Sequence, residues 1–382
     1  MRIVDLFAGC GGMSRGFENA GYDVVAAFEL WETAAECYEQ NFDHPIFRQD
    51  LSEPCEAEKI IRTYAPEMII GGPPCQDFSH AGKRIEAGRA SLTGSYAEII
   101  KVIRPKYFVM ENVDRAQKSN AYAYARQTFK ETGYGLTEIV LDASKCGVPQ
   151  KRKRFFCIGV LNAPDDCVKP FIECKMSEKE TTLRDYFGNT LDFEFYYRHP
   201  RNYSRRGIFS IDEPAPTMRG VNRPVPKGYP GHPNDACPLN DSIRALTTLE
   251  RALIQTFPAD FKWKGNKTDT EQMIGNAVPV KLAEFVANSV SDYIRSTVNV
   301  EKNEQVFQRW LLSEKKISTR SASDVLSRLK RANRIVAIGS VPDERYVFEL
   351  ERQSAFDALV ASVKSQIRRA AALYTEFCGI SR

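Results

Sequence analysis

Short apolar runs, each closed or soon followed by a glycine or an acid, recur through the first third of the chain: IVDLF at 3–7, VVAAF at 24–28, EMIIG at 67–71 and YFVME at 107–111. Runs of this length bounded by turn residues read as buried strands. The segments between them, 13–20, 32–41, 55–64, 92–103 and 120–132, carry apolar positions at helical spacing. Alternating strand and helix predicts βαβ units, hence an α/β fold with a mostly parallel sheet and helices on both faces. FFCIGV at 155–160 is expected to join the same sheet later.

From 161 to 243 the periodicity fades. Proline, glycine, tyrosine and arginine accumulate in YYRHPRNYSRRG, EPAPTMRG and NRPVPKGYPGHP, which predicts a smaller, irregular, β-rich lobe. Amphipathic helix returns in LTTLERALIQTF (246–257) and VKLAEFVANSVSDYI (280–294), so the chain is expected to leave its first domain and come back. The predicted division is 1–160 with 244–297, then 161–243, then an appendix over 298–382. In the appendix, positions 356, 359, 360, 363, 367, 370, 374 and 377 form an apolar stripe. RIVAIGS and RYVFELE around VPDE suggest a hairpin, so a small α+β module is expected there.

With 382 residues, 43% of them hydrophobic, the chain can bury a full core and a second smaller one. No apolar stretch approaches a membrane span, and Met1 leads directly into a strand, so a cytoplasmic protein with no membrane partner is expected. The ten cysteines include no C-x-x-C pair and only four histidines accompany them, which argues against a metal centre or a disulfide framework. The net charge of +4 is uneven: 151–234 and 301–382 each hold 15 Lys and Arg against 10 Asp and Glu. Such an excess suits either a polyanion or a solvated surface.

Candidate chemistry sits at the predicted strand ends. DLFAGCGGMSRGFENAG follows the first strand with Gly9, Gly11 and Gly12, where backbone can approach a ligand, and Glu29 closes the next strand about twenty residues on. The spacing departs from G-x-G-x-x-G, so a nucleoside ligand without a gripped pyrophosphate fits it better. Asp50 would be the acid after a third strand. GGPPCQDFS places Cys75 in a stiff loop after the fourth. Glu111 ends the fifth, and QKRKRFFCIG brings Arg152 and Arg154 to one face of another. A thiol, an acid and two cations could converge there on one small group.

In combination, DLFAGCGG, GGPPCQDFS, ENV, QKRKRFFCIG, RALTTLERALIQTFP and QMIGNAVP, in this order across 3 to about 297, resemble the DNA (cytosine-5)-methyltransferases of bacterial restriction-modification systems. The resemblance implies an S-adenosylmethionine-dependent, Rossmann-like catalytic domain. It makes Cys75 the nucleophile, Glu111 the acid at the target base, and Arg152 and Arg154 its binding and positioning partners. Phe7, Gly9, Gly11, Glu29, Leu30, Asp50, Pro73, Leu92 and Asn276 would surround S-adenosyl-L-methionine. Gln76 and Ser79 would lie on the loop closing over double-stranded DNA, where Gln76 either fills the gap left by the flipped base or is a plain loop amide hydrogen-bonded to backbone. Segment 161–243 would read the target, with Arg205, Arg206, Arg219 and Arg223 as candidate guanine contacts. The basic appendix over 298–382 could assist in DNA binding or serve only for packing.

The resemblance further implies a monomer acting on DNA at the nucleoid, alongside a cognate restriction endonuclease. A tRNA cytosine-5 methyltransferase is the alternative within the family, although that branch's CFT tripeptide is missing from the recognition segment. A non-catalytic DNA-binding relative and a nicotinamide-dependent oxidoreductase are the readings outside it. The latter lacks the glycine spacing and leaves Cys75 with Glu111 unexplained.

Overall fold

A computed structural model describes residues 1–74, 91–338 and 341–380, with the backbone alone at 298–303 and 380. Contacts divide the chain into two units, Met1–Asp165 with Lys175–Asn288, and Asp166–Cys174 with Ser289–Arg382.

The first unit is built on strands β1 (Arg2–Leu6), β2 (Asp23–Phe28), β3 (Ile46–Phe47), β4 (Met68–Gly71), β5 (Tyr107–Val113), β6 (Tyr134–Asp142), the two-residue β7 (Gln150–Lys151) and β8 (Lys153–Leu161). All but β7 form one sheet in the order β3-β2-β1-β4-β5-β8-β6. The first five in that order are parallel, and β8 pairs antiparallel with both β5 and β6. The predicted helices appear at Gly12–Asn19, Glu32–Glu39, Pro54–Tyr64, Leu92–Ile103 and Asn120–Thr132. Strand β6 was not anticipated. Its burial is mixed, with Tyr134–Thr137 and Leu141 buried and Val140 exposed, so it reads neither as a continuous apolar run nor as a regular alternation.

Val4, Leu6, Ile69, Phe108 and Met110 bury with Tyr96, Ile100 and Phe129 of the helices on one side of this sheet. A second cluster joins Ala8, Cys10, Ala27 and Tyr38 to Phe257, Phe261, Met273, Ile274 and Val280, so the returning segment packs behind the first βα turn. The segment expected to be irregular and β-rich is irregular, but beside short helices at Lys169–Glu173 and Leu183–Phe187 its strands are only the short β9 (Phe195–Tyr197), β10 (Ile208–Ser210) and β11 (Ala215–Pro216). The first two pair with each other, and β11 pairs with β7.

The second unit corrects the expected α+β appendix: its described residues form helices. RYVFELE, expected as a strand, contains the helix Tyr346–Glu351, because Tyr346 and Leu350, one turn apart, both enter the core. The described part of the other expected strand, 334–338, is not in a strand; Val336 and Ile338 are buried, and the Tyr346 hydroxyl donates to the Val336 carbonyl. The apolar stripe holds at Ile367, Ala370, Tyr374 and Phe377 of helix Ala361–Ile380, whereas Val360 precedes the helix and is exposed.

Candidate active site

The loop from β1 into helix Gly12–Asn19 turns through three left-handed residues, Phe7 (φ +59°), Gly9 (φ +56°) and Gly11 (φ +94°). A Cβ on Gly11 would stand 2.3 Å from Phe42 Cε2, so only glycine fits both the angle and the space. The Glu29 carboxylate fixes the loop from β2: Oε2 accepts from Gly9 N and Oε1 from Trp31 N, both at 2.8 Å. Each oxygen retains a lone pair for another donor.

This turn floors a cleft of about 1280 Å³. Phe7, Gly9, Glu29, Leu30, Asp50, Pro73, Leu92 and Asn276 all line it; Gly11 does not, and acts through the turn instead. Leu30 is 59% exposed, offering an apolar face at the rim. Asp50 lies beyond the end of β3, where its Oδ1 accepts from Ser52 N at 2.8 Å. Ser91 caps the helix that begins at Leu92, and the Asn276 side chain accepts from Gln272 at 2.9 Å. Trp31, Met13, Gln49 and Val278 also line the cleft and carry no sequence signal that would have singled them out.

Asp5 was missed because it reads as part of a strand. It is 1% exposed, lines the cleft, and its Oδ1 has no hydrogen-bond partner among the described residues. Its Oδ2 accepts from Ser14 Oγ at 2.6 Å; Tyr38 OH donates to Ser14 Oγ at 2.7 Å and meets His44 Nε2 at 2.6 Å. Burial pushes the Asp5 carboxyl up to about 7 from its ordinary 3.8, with Glu29 adding to the effect against the Ser14 hydrogen bond. A carboxyl pKa raised on folding favours the native state below the unfolded value, and that contribution is lost as pH rises through the folded one. In the ligand-free protein, the stability difference between Asp5→Asn and the parent should therefore shift toward the variant by about 2–3 kcal/mol from pH 5 to pH 8. Urea unfolding at the two pH values checks this, and a constant difference would refute it.

The opposite wall carries the acid and the cations. Glu111 is 7% exposed on β5, and Arg154 Nε on β8 lies 2.8 Å from its Oε1. The antiparallel pairing of β5 with β8 sets Val113 opposite Arg154, which brings these side chains together across two strands. Burial raises the Glu111 carboxyl above the usual range, against the pull of Arg154 and Arg152. Gly72 makes room for it: a Cβ there would sit 3.1 Å from Glu111 Oε2. Asn112 Nδ2 donates to the Pro73 carbonyl at 2.9 Å, tying the start of the cysteine loop to the strand bearing the acid. Cys75, Gln76 and Ser79 lie outside the described residues.

Arg152, expected beside Arg154, is 1% exposed and points elsewhere. Its guanidinium donates to the carbonyls of Met218, Gly275 and Ala277 at 3.0, 2.9 and 3.0 Å. Burial, with Arg154 nearby, lowers it to about 9. It joins the base of the recognition segment to the returning helix that ends at Asn276.

Among the candidate DNA contacts, Arg205 and Arg223 are exposed. Arg206 is ion-paired with Glu213 and stacked 4.3 Å over Phe209. Arg219 donates to the His199 carbonyl at 2.5 Å. Burial lowers the Arg219 guanidinium, with Arg201 and Arg223 contributing. Arg201, not singled out in the sequence, is exposed, lines the cleft, and adds to this cationic group.

Comparison with known proteins matches residues 1–292 to the family described as C-5 cytosine-specific DNA methylase. Type II methyltransferase M.HindV of Haemophilus influenzae is 56% identical over 300 residues, covering 78% of this chain and 99% of the relative. Type II methyltransferase M.HgiDI of Herpetosiphon aurantiacus is 52% identical over 295 residues, covering 77% and 95%. Among solved structures, a putative DNA modification methyltransferase encoded within a prophage (E. coli) has a TM-score of 0.57 at 21% identity, covering 77% of this chain and 99% of that one, a likeness of fold.

Proposed function

The chain belongs to the C-5 cytosine-specific DNA methylases, and on that premise we propose how its residues move a methyl group from S-adenosyl-L-methionine to C5 of a cytosine swung out of duplex DNA. It is a DNA cytosine-5 methyltransferase of the restriction-modification type. The observation that carries the assignment of its active site is the buried Glu111–Arg154 pair on the wall of the same cleft that Phe7 and Glu29 floor.

The cradle suits S-adenosyl-L-methionine. Phe7 and Leu30 offer apolar faces to a purine, Glu29 keeps lone pairs for ribose hydroxyls, and Asp50 can accept from an amino group at the rim. When bound, that group supplies an electrophilic methyl on sulfonium sulfur. Cytosine C5 is a weak nucleophile, so the Cys75 thiolate adds first at C6 while Glu111 gives a proton to N3. Arg154 holds the exocyclic oxygen, and Arg152 braces the wall from behind. On methyl transfer to C5 the methyl–sulfonium bond would break and leave a neutral thioether; C5 would then give its proton to a solvent base as the thiolate leaves and N3 returns its proton to Glu111, restoring the aromatic base. Gln76 occupies the space the cytosine vacated, and Ser79 belongs to the same closing loop.

Segment 161–243 is assigned to target recognition, with Arg205 and Arg223 presented to DNA, and 1–160 with 244–297 to catalysis. Arg206 and Arg219, engaged by Glu213 and the His199 carbonyl, shape that surface and reach bases only by exchanging those partners. The relatives named as Type II methyltransferases support DNA over tRNA as substrate and a cognate endonuclease as functional partner. Among the described residues no helix is long and apolar enough to cross a membrane. We assign the protein to the cytoplasm, acting as a monomer at the nucleoid.

Bisulfite sequencing of DNA from an expressing host tests the function, since it reports product and sequence context together. Protected cytosines confined to one short motif support it. Unprotected DNA, with tritiated methyl groups recovered in tRNA, would overturn it.

A further inference from the structure

The family match ends at residue 292, and 78% of this chain already covers 99% of the Haemophilus influenzae relative, so nearly all of the second unit is additional. Its helix Thr319–Asn333 turns Ala322, Val325, Leu329 and Ala332 into the unit's core. At about 100° per residue, Arg320, Arg328 and Arg331 then share another face, which Arg334 continues past the C-terminus. Arg320, Arg331 and Arg334 are exposed and Arg328 is half-buried.

Several other cations of this unit have acidic partners, as in Lys330–Glu304 and Lys315–Glu376, though Arg309, Lys316 and Arg369 are in no ion pair among the described residues either. None of the four arginines is in an ion pair among the described residues, although Asp324 lies one turn from Arg320 and from Arg328. Four cations along about 21 Å of helix repel one another unless a polyanion neutralises them. The substrate of this enzyme is such a polyanion. A regular row of arginines without shape-matched pockets suits phosphates, whose contacts carry no base information.

We propose that the Arg320–Arg334 face grips the sugar-phosphate backbone of duplex DNA in a manner indifferent to base sequence. The proposal rests on reading the chain as a DNA methyltransferase. It predicts a second, sequence-blind electrostatic contribution to DNA binding, supplied by the unit that the relatives lack.

The test uses the full chain with all four arginines changed to glutamine, and a second variant with all four changed to lysine. Binding is measured over a range of salt concentrations, on a duplex the parent methylates and on a scrambled one. In the glutamine variant the slope of log affinity against log salt should fall by about 0.9 for each phosphate no longer neutralised, roughly 2–4 in all. Affinity should drop equally for both duplexes, and kcat at saturating DNA should stay within about twofold because these arginines only position the duplex. The lysine variant keeps the charge and should keep the slope. An unchanged slope, a loss confined to the methylated duplex, or an equal loss in the lysine variant would each overturn the proposal. A parent that methylates no cytosine would refute the methyltransferase reading instead, and the slopes on the scrambled duplex would still decide the role of the arginine face.

Discussion

Glu111→Gln should lower methyl transfer by roughly 10²–10⁴-fold, the usual contribution of a positioned acid or base, while DNA affinity changes little. The carboxyl sits 7% exposed on β5, and burial holds it above the ordinary carboxylate range despite Arg154 at 2.8 Å. A carboxyl so placed keeps its proton to higher pH, so it can protonate N3 as sulfur adds to C6. The parent's single-turnover rate should therefore decline as pH rises through that elevated pKa. The glutamine variant, which has no such proton to give, should lack this decline. Because glutamine also leaves Arg154 without its counter-charge, a thermal melt must accompany the rates. A glutamine variant that melts normally and retains parental rate would remove Glu111 from the mechanism.

Cys75→Ser should be more severe, a loss of roughly 10⁴-fold or more, since deleting a nucleophile disables the whole covalent sequence. A serine hydroxyl near neutral pH is a far weaker nucleophile than a thiolate. The sharper readout is trapping on duplex DNA containing 5-fluorocytosine. There the parent adds sulfur to C6 and methylates C5, but fluorine cannot leave as the proton does, so the adduct survives denaturation. The serine variant should yield no such adduct while still binding DNA. Normal trapping by that variant would assign the covalent step to another residue. The two variants also separate the roles: Glu111→Gln should still trap, slowly, whereas Cys75→Ser should not.

Much of the first unit was legible along the chain because parallel strands buried on both faces read as uninterrupted apolar runs, as in β1, β4 and β5. The floor of the cleft was legible for a related reason. A tight turn that brings backbone near a ligand leaves glycines and a strand-end acid in fixed order, and Phe7, Gly9 and Glu29 all reach the cleft. Strand β6 and the helix Tyr346–Glu351 were not legible, since an edge strand with mixed burial and a short segment with two buried residues fit either periodicity.

The sequence by itself determined the fold class, the family and the order of candidate groups at the strand ends, because local periodicity and motif spacing are properties of neighbours along the chain. Only the tertiary structure decided what each group does once there. It separated Arg154, paired with Glu111, from Arg152, which holds three backbone carbonyls two residues away. It also exposed Asp5 as a buried carboxyl with a raised pKa on the cleft floor. Pairing, burial and pKa depend on residues distant in sequence, such as Met218, Gly275 and Ala277 around Arg152, and no local pattern records which of them will meet.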